Sequence, residues 1–288
     1  QSSELKRYQA NELDMTYEVP DKQIDRLRGQ YPDELVISPW LGTYYYGFNL
    51  TQPPFKDNLA LRKAISMAID REIVMKAVTR AGEIPAYGWV PPVTGYTGQK
   101  PEWADWPRDK QLAEAQRLYA EAGYGPGKQL KTTLIYNTQE NHKRIAVAIA
   151  GMLKEYLGME VSLLNQEWKV FLETRKQKVE TQIFRAGWIG DYNDPFTFSE
   201  LMRTGHGLND SDYRNPEYDD LLARASAEQD MEKRIALLEE AERLIIRDIP
   251  IAPIYFYVAK RLVKPWVGGY SSNIMDHHYT KNFFIREH

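Results

Sequence analysis

The chain has 288 residues, enough for a sizeable core and for one large domain or two. Lys and Arg number 37 against 40 Asp and Glu, giving a net charge of −3 and a pI near 6.0, so no bulk basic field exists to hold nucleic acid or an anionic membrane face. Apolar runs fall far short of the ~20 residues that a spanning helix needs, and mean hydropathy is −0.57.

Cysteine is absent, which removes disulfides, thiolate nucleophiles and Cys-ligated metals without fixing the compartment. The opening Gln1-Ser2-Ser3-Glu4 shows neither the basic start nor the apolar stretch of a signal peptide, so either the protein never had one or this is a processed or truncated form. Aromatic residues make up 12%, led by 19 Tyr and 7 Trp; many fall outside core periodicity, which suits a ligand-gripping surface.

Residues 14–19 read as a short strand, and Pro20-Asp21 opens a helix with Ile24 and Leu27 on one face. Residues 34–50 read as one extended run, because Thr43-Tyr44-Tyr45-Tyr46 favours strand. Asp57 or Asn58 caps a helix whose apolar face, Leu61, Ile65, Ala68, Ile69 and Ile73, continues to about Thr79. Residues 81–109, rich in Gly, Pro and Trp, suit a packed wrapper more than an open loop. Next come a helix over 110–122 ending at Gly123, a strand over 130–136, a helix over 140–156, a strand over 159–164, a helix over 169–178 and a strand over 182–188. Helices over 218–227 and 231–248, a strand over 251–258 and an extended run over 263–270 complete the order. Strands alternating with helices imply βαβ units, so the class is α/β with a mixed, mostly parallel sheet.

The histidines, His142, His206, His277, His278 and His288, fit no zinc frame. The run Gly123 to Lys128 lacks phosphate-loop spacing, and there is neither a nucleophile elbow nor a dinucleotide fingerprint. No metal or cofactor is expected. The informative run is Arg185-Ala186-Gly187-Trp188-Ile189-Gly190-Asp191-Tyr192-Asn193-Asp194-Pro195, at the C-terminal end of a predicted strand, where open α/β sheets bind ligands. The Arg185 fork suits a carboxylate and Asp191 an ammonium, so one groove could hold both ends of a zwitterion. Taken alone, the same charges could equally pair with each other or with neighbours, and on local sequence that plainer reading carries more weight.

From Leu35 onward the chain resembles the periplasmic oligopeptide-binding proteins of ABC importers, bacterial extracellular solute-binding proteins of family 5, murein-peptide binders included. The matching stretches are Ser38-Pro39-Trp40-Leu41-Gly42-Thr43-Tyr44-Tyr45-Tyr46, Pro85-Ala86-Tyr87, Tyr136-Asn137-Thr138 with His142-Lys143, Asn165-Gln166-Glu167-Trp168-Lys169, the run from Arg185 to Pro195, and Arg261-Leu262-Val263-Lys264-Pro265-Trp266 continuing to Tyr270. The resemblance implies a two-lobed type II periplasmic-binding-protein fold. In it residues 42–258 form the complete ligand-binding lobe, and 1–41 and 259–288 are parts of a second, partial lobe, with hinge crossings near 38–42 and 258–260.

It further implies that Asp191 receives a peptide's amine, that Arg185 with His142 holds a terminal carboxylate, and that Arg175 offers another cation. Trp168, Trp188, Tyr45 and one of Tyr255 or Tyr257 would wall the side-chain pockets. Two positions where family members often carry cross-linked cysteines are Gly42 and Ile189 here, and a basic residue used for longer peptides falls at Thr79. The expected function is capture of short peptides by their charged termini and delivery to an inner-membrane permease. The expected protein is a non-enzymatic monomer, periplasmic or lipid-anchored at the outer face of the cytoplasmic membrane. The alternatives are a murein-peptide or other small-solute binder and, from another class, a peptide hydrolase using Arg185, Asp191 and Glu167. A chain bearing only one full lobe is expected to bind peptide weakly.

Overall fold

The computed structural model describes residues 1–179 and 181–287; His288 lies outside the described residues. The central strand is β1 (Leu35–Phe48), 14 residues long. Its flanks in the sheet are β6 (Ile251–Leu262) and β5 (Ile183–Ile189), and the six-stranded order is β2-β6-β1-β5-β3-β4, where β2 is Ile84–Pro85, β3 Lys131–Asn137 and β4 Glu160–Gln166. The sheet is mixed, as expected, but not mostly parallel. β3 pairs in parallel with β4 and β5, whereas β1 with β5, β1 with β6 and β2 with β6 are antiparallel. The parallel part is the βαβ portion that the alternating pattern revealed; β1 and β6, far apart in sequence, carry no such local signal.

Because side chains alternate across a strand, the tyrosine triplet divides between two cores. Tyr44 and Tyr46 join one face with α3 (Leu59–Ala68), α5 (Arg108–Glu121) and α6 (Glu140–Leu157). Tyr45 joins the other face with α7 (Trp168–Gln177), α9 (Pro216–Ala227) and α10 (Met231–Asp248). A third, small cluster unites Leu5 and Tyr8 of α1 (Ser2–Gln9), Ile24 and Leu27 of α2 (Ile24–Gln30), Val19, Ala81 and Leu262.

Asn58 caps α3, its side chain accepting the Leu61 N–H at 3.2 Å. The helix does not run on to Thr79. It ends at Ala68, Asp70 caps a new turn, α4 (Arg71–Ile73), and a π-helical turn follows over Val74–Thr79. The break lets Arg71, fully buried, donate to the carbonyls of Ser66, Ile69, Ala86 and Pro253. Residues 14–19 form only a single bridge, Met15 to Val263, and no strand. The wrapper does pack: Trp89, Tyr96 and Trp103 are buried. Its staple is the buried carboxylate of Glu242, which accepts the Trp89 and Val90 N–H groups at 2.6 and 2.8 Å and the Tyr96 hydroxyl at 2.5 Å.

Candidate functional site

The parallel strands β3, β4 and β5 end on one side of the sheet, and α6 and α7 begin there. This edge gathers Asn137, His142, Trp168, Arg185 and Trp188 from separate stretches of sequence, as the rule for open α/β sheets requires.

Arg185 is 9% exposed, so its cation is sunk into the strand end and only its edge reaches a groove. Its guanidinium lies 4.6 Å from the centre of the Tyr44 ring and donates from Nη2 to the Tyr257 hydroxyl at 2.9 Å and from Nη1 to Asn137 Oδ1 at 3.4 Å. Its Nε has no acceptor. Every partner is neutral, and among the described residues no carboxylate lies within ion-pair distance. Burial is the largest influence and opposes the charge; the surrounding tyrosines, Tyr257 first, act the other way only where they ionise, so at neutral pH they offer the guanidinium dipoles and no counter-charge. A buried cation with no counter-ion costs several kcal/mol, which a ligand carboxylate can recover. Gly187 makes the arrangement possible: a Cβ there would sit 2.7 Å from the Tyr257 hydroxyl and 3.3 Å from Arg185 Nη2.

His142 stands at the start of α6, its Nδ1 3.4 Å from the Tyr44 hydroxyl. Burial and the Arg185 charge push its pKa down to about 2. It therefore serves as a neutral hydrogen-bonding group and not as a second cation. Tyr44 is itself pushed up to about 12, chiefly by burial, so its hydroxyl stays neutral.

Asp191 follows the sheet edge, exposed, with no cation at ion-pair distance among the described residues; its backbone N–H donates to Thr197 Oγ1 at 3.3 Å. Trp188 is half-buried and donates its indole N–H to the same oxygen at 3.2 Å. Trp168 is 48% exposed and stacks on Phe171. Tyr257 is part-exposed, whereas Tyr255 is buried and stacked on Tyr44 at 4.7 Å, so of the pair Tyr257 is the one that presents a wall.

Two expected members are placed otherwise. Arg175 is not a spare cation: its Nε lies 2.8 Å from Asp210, both side chains being nearly buried, and its head lies against Phe171 and Phe184. Burial raises the pKa of Asp210, with Arg175 pulling the other way. Tyr45 is 4% exposed and meets Trp89 edge-on inside the core, because the alternation that exposes Tyr44 to Arg185 turns Tyr45 to the other face. Among the described residues no cluster of His, Asp and Glu could hold a metal ion, and no helix is long and apolar enough to cross a membrane. Sequence reasoning passed over Asn137, Tyr44 and Thr197; Asn137 ends β3 beside β5, and its strand-end position was the available signal.

Gly42 and Ile189, the positions of the missing cross-link, are direct partners across β1 and β5, and the Ile189 side chain fills the space over Gly42.

A parallel-strand edge with a buried cation that lacks a counter-ion among the described residues, an exposed carboxylate and aromatic side chains around them is the candidate site. The chain belongs to the bacterial extracellular solute-binding proteins, family 5, whose model matches residues 1–210 under the description "Middle". It is 40% identical over 99% of its length to the periplasmic oligopeptide-binding protein OppA of Escherichia coli (strain K12), covering 53% of that protein. It is 41% identical over its whole length to the periplasmic murein peptide-binding protein MppA of the same organism, covering 54% of it. The solved structure of Haemophilus influenzae OppA in complex with RPPGFSPFR superposes with a TM-score of 0.87 at 37% identity, over 99% of this chain and 56% of that one. The chain thus spans about half the length of the relatives it matches.

Proposed function

We propose that this chain carries the ligand-binding lobe of a periplasmic, non-enzymatic peptide-binding protein that passes short peptides to an ABC permease. Asp191 receives the free amine, Arg185 the terminal carboxylate, and His142 donates or accepts a hydrogen bond beside it. Trp168, Trp188 and Tyr257 shelter side chains without selecting one. Residues 42–258 form this lobe, and 1–41 with 259–288 belong to a second.

The observation that carries the reading is the pair of opposite, unsatisfied charges at one sheet edge: a buried Arg185 lacking an anion and an exposed Asp191 lacking a cation. The names of the relatives support both the periplasmic location and peptides as cargo. Binding is favoured over hydrolysis because Glu167, the second acid of the alternative, caps α7, accepting the Lys169 N–H at 2.9 Å. The division into lobes is supported by the separate small core at the N-terminus. It is also supported by the register shift between Pro39 and Thr43, where β1 and β6 pass together from one packing unit to the other.

Calorimetry of the full-length protein with a tripeptide, its N-acetyl form and its C-terminal amide tests the site. The expected outcome is at least a tenfold affinity loss for each blocked form, with Asp191→Asn erasing the first loss and Arg185→Met the second. Equal binding of all three peptides would overturn the reading. A murein tripeptide run alongside decides between the two cargo classes, whose relatives are equally similar.

A further inference from the structure

Two residues with different tasks in the proposed site, the anion Asp191 and the aromatic wall Trp188, share one hydrogen-bond acceptor. Thr197 Oγ1 accepts the Trp188 indole N–H at 3.2 Å and the Asp191 backbone N–H at 3.3 Å. Thr197 is fully buried in α8 (Phe196–Ser199), a single turn that follows the binding loop. A hydroxyl oxygen has two lone pairs, and here both are used. The loop between these residues is pinned at its start by the Gly190 N–H on the Leu41 carbonyl at 2.8 Å. A Cβ on Gly190 would lie 2.7 Å from Leu41 and 3.1 Å from the Thr197 methyl, so the methyl is packed and the side chain has one place to stand. At its end the loop is held by Asp194, which takes Arg234 in a two-pronged pair at 2.8 and 2.8 Å and the Phe196 N–H at 2.8 Å.

We propose that Thr197 is a positioning residue of the peptide site, fixing Asp191 and Trp188 relative to one another through a single hydroxyl. This deepens the function proposed above and rests on it. Removing the hydroxyl leaves two N–H groups without an acceptor, which frees the indole to turn and the Asp191 backbone to shift. Discrimination for a free amine depends on where that carboxylate stands, and a shift of an ångström is enough to lose most of it.

The test compares Thr197→Val, which keeps the shape, with Thr197→Ser, which keeps the acceptor, in the full-length protein. Two quantities are measured: the affinity ratio of a free-amine tripeptide to its N-acetyl form, and the Trp188 indole N–H resonance, assigned by its loss in Trp188→Phe. Thr197→Val is expected to lower the ratio about tenfold and to move the resonance, while Thr197→Ser keeps the ratio within twofold and the resonance in place. Wild-type behaviour of Thr197→Val in both quantities, or equal losses in Val and Ser, would overturn the assignment. Should Asp191→Asn leave the ratio unchanged, the role of Asp191 itself falls. The resonance then decides on Thr197 alone: movement in Val but not in Ser upholds its hold on Trp188, and no movement refutes it.

Discussion

At Arg185 the fold accepts an electrostatic cost that packing alone does not require. Most buried arginines here end on carbonyls or carboxylates, as Arg71 and Arg175 do, while Arg185 faces hydroxyl, amide and ring. Burial first, and the Arg185 charge after it, act on the neighbouring His142. The imidazole titrates near 6.5 in an unfolded chain and only near 2 in the folded one. The folded state thus binds fewer protons, and its contribution is complete above pH 6.5 and lost as pH falls below that value. Stability should decline between pH 6 and 4 by up to about 1.4 kcal/mol per pH unit from this one group. Urea titrations of wild type and His142→Asn across that range check it: the variant should show a shallower decline, and parallel curves would place the acid sensitivity elsewhere.

At the scale of elements, local chemistry was legible and long-range chemistry was not. The helices α5, α6, α9 and α10 and strands β3, β4 and β5 follow from periodicity and caps because each is stabilised by neighbours in sequence. The antiparallel partnership of β1 and β6, more than 200 residues apart, leaves no local trace. Nor does the interruption of α3, which serves the distant carbonyls that hold Arg71. At the candidate site, strand-end position singled out Arg185 with Asp191, and likeness to a family added His142, Trp168 and Trp188. The face of each tyrosine depended on register, so Tyr45 was assigned to the pocket when alternation sends it to the core. The wrapper shows how one acid can organise an element without secondary structure. Glu242 is pushed up to about 7 by burial, opposed by the Tyr96 hydroxyl and the N–H groups it accepts. A folded value above the ordinary 4.5 means that its contribution is full below pH 4.5 and is lost as pH rises through 7. Glu242→Gln replaces one carboxylate oxygen by an NH2 where the Trp89, Val90 and Gln99 N–H groups can only donate. It should cost about 1–3 kcal/mol in urea unfolding and flatten the loss between pH 5 and 8; unaltered stability would show that the wrapper is held by its aromatics alone.

Across the whole molecule, the N-terminal segment and the sheet meet at a buried ion cluster. Lys260 of β6 lies 2.6 Å from Asp21, which precedes α2, and 3.0 Å from Glu83, which follows the π-helical turn. Asn141 of α6 donates to Asp21, and the Thr79 hydroxyl donates to Glu83 at 2.8 Å. Both carboxylates raise the Lys260 pKa against the pull of burial. Lys260→Met removes the one cation between two buried carboxylates, and such a loss costs about 3–5 kcal/mol. Because the small core of Leu5, Tyr8, Ile24 and Leu27 is separate from the two faces of the sheet, the loss should be local. Hydrogen exchange should rise over residues 1–33 while β3 and β5 keep their protection, and uniform loss of protection would show one cooperative unit instead. On the lobe division proposed above, residues 42–258 supply one wall of the site, and a peptide held by that wall alone would keep much of its backbone in water and its two terminal ion pairs partly screened. Calorimetry of the 288-residue chain with a tri- or tetrapeptide should give a dissociation constant well above micromolar, and sub-micromolar binding would mean that a single lobe suffices.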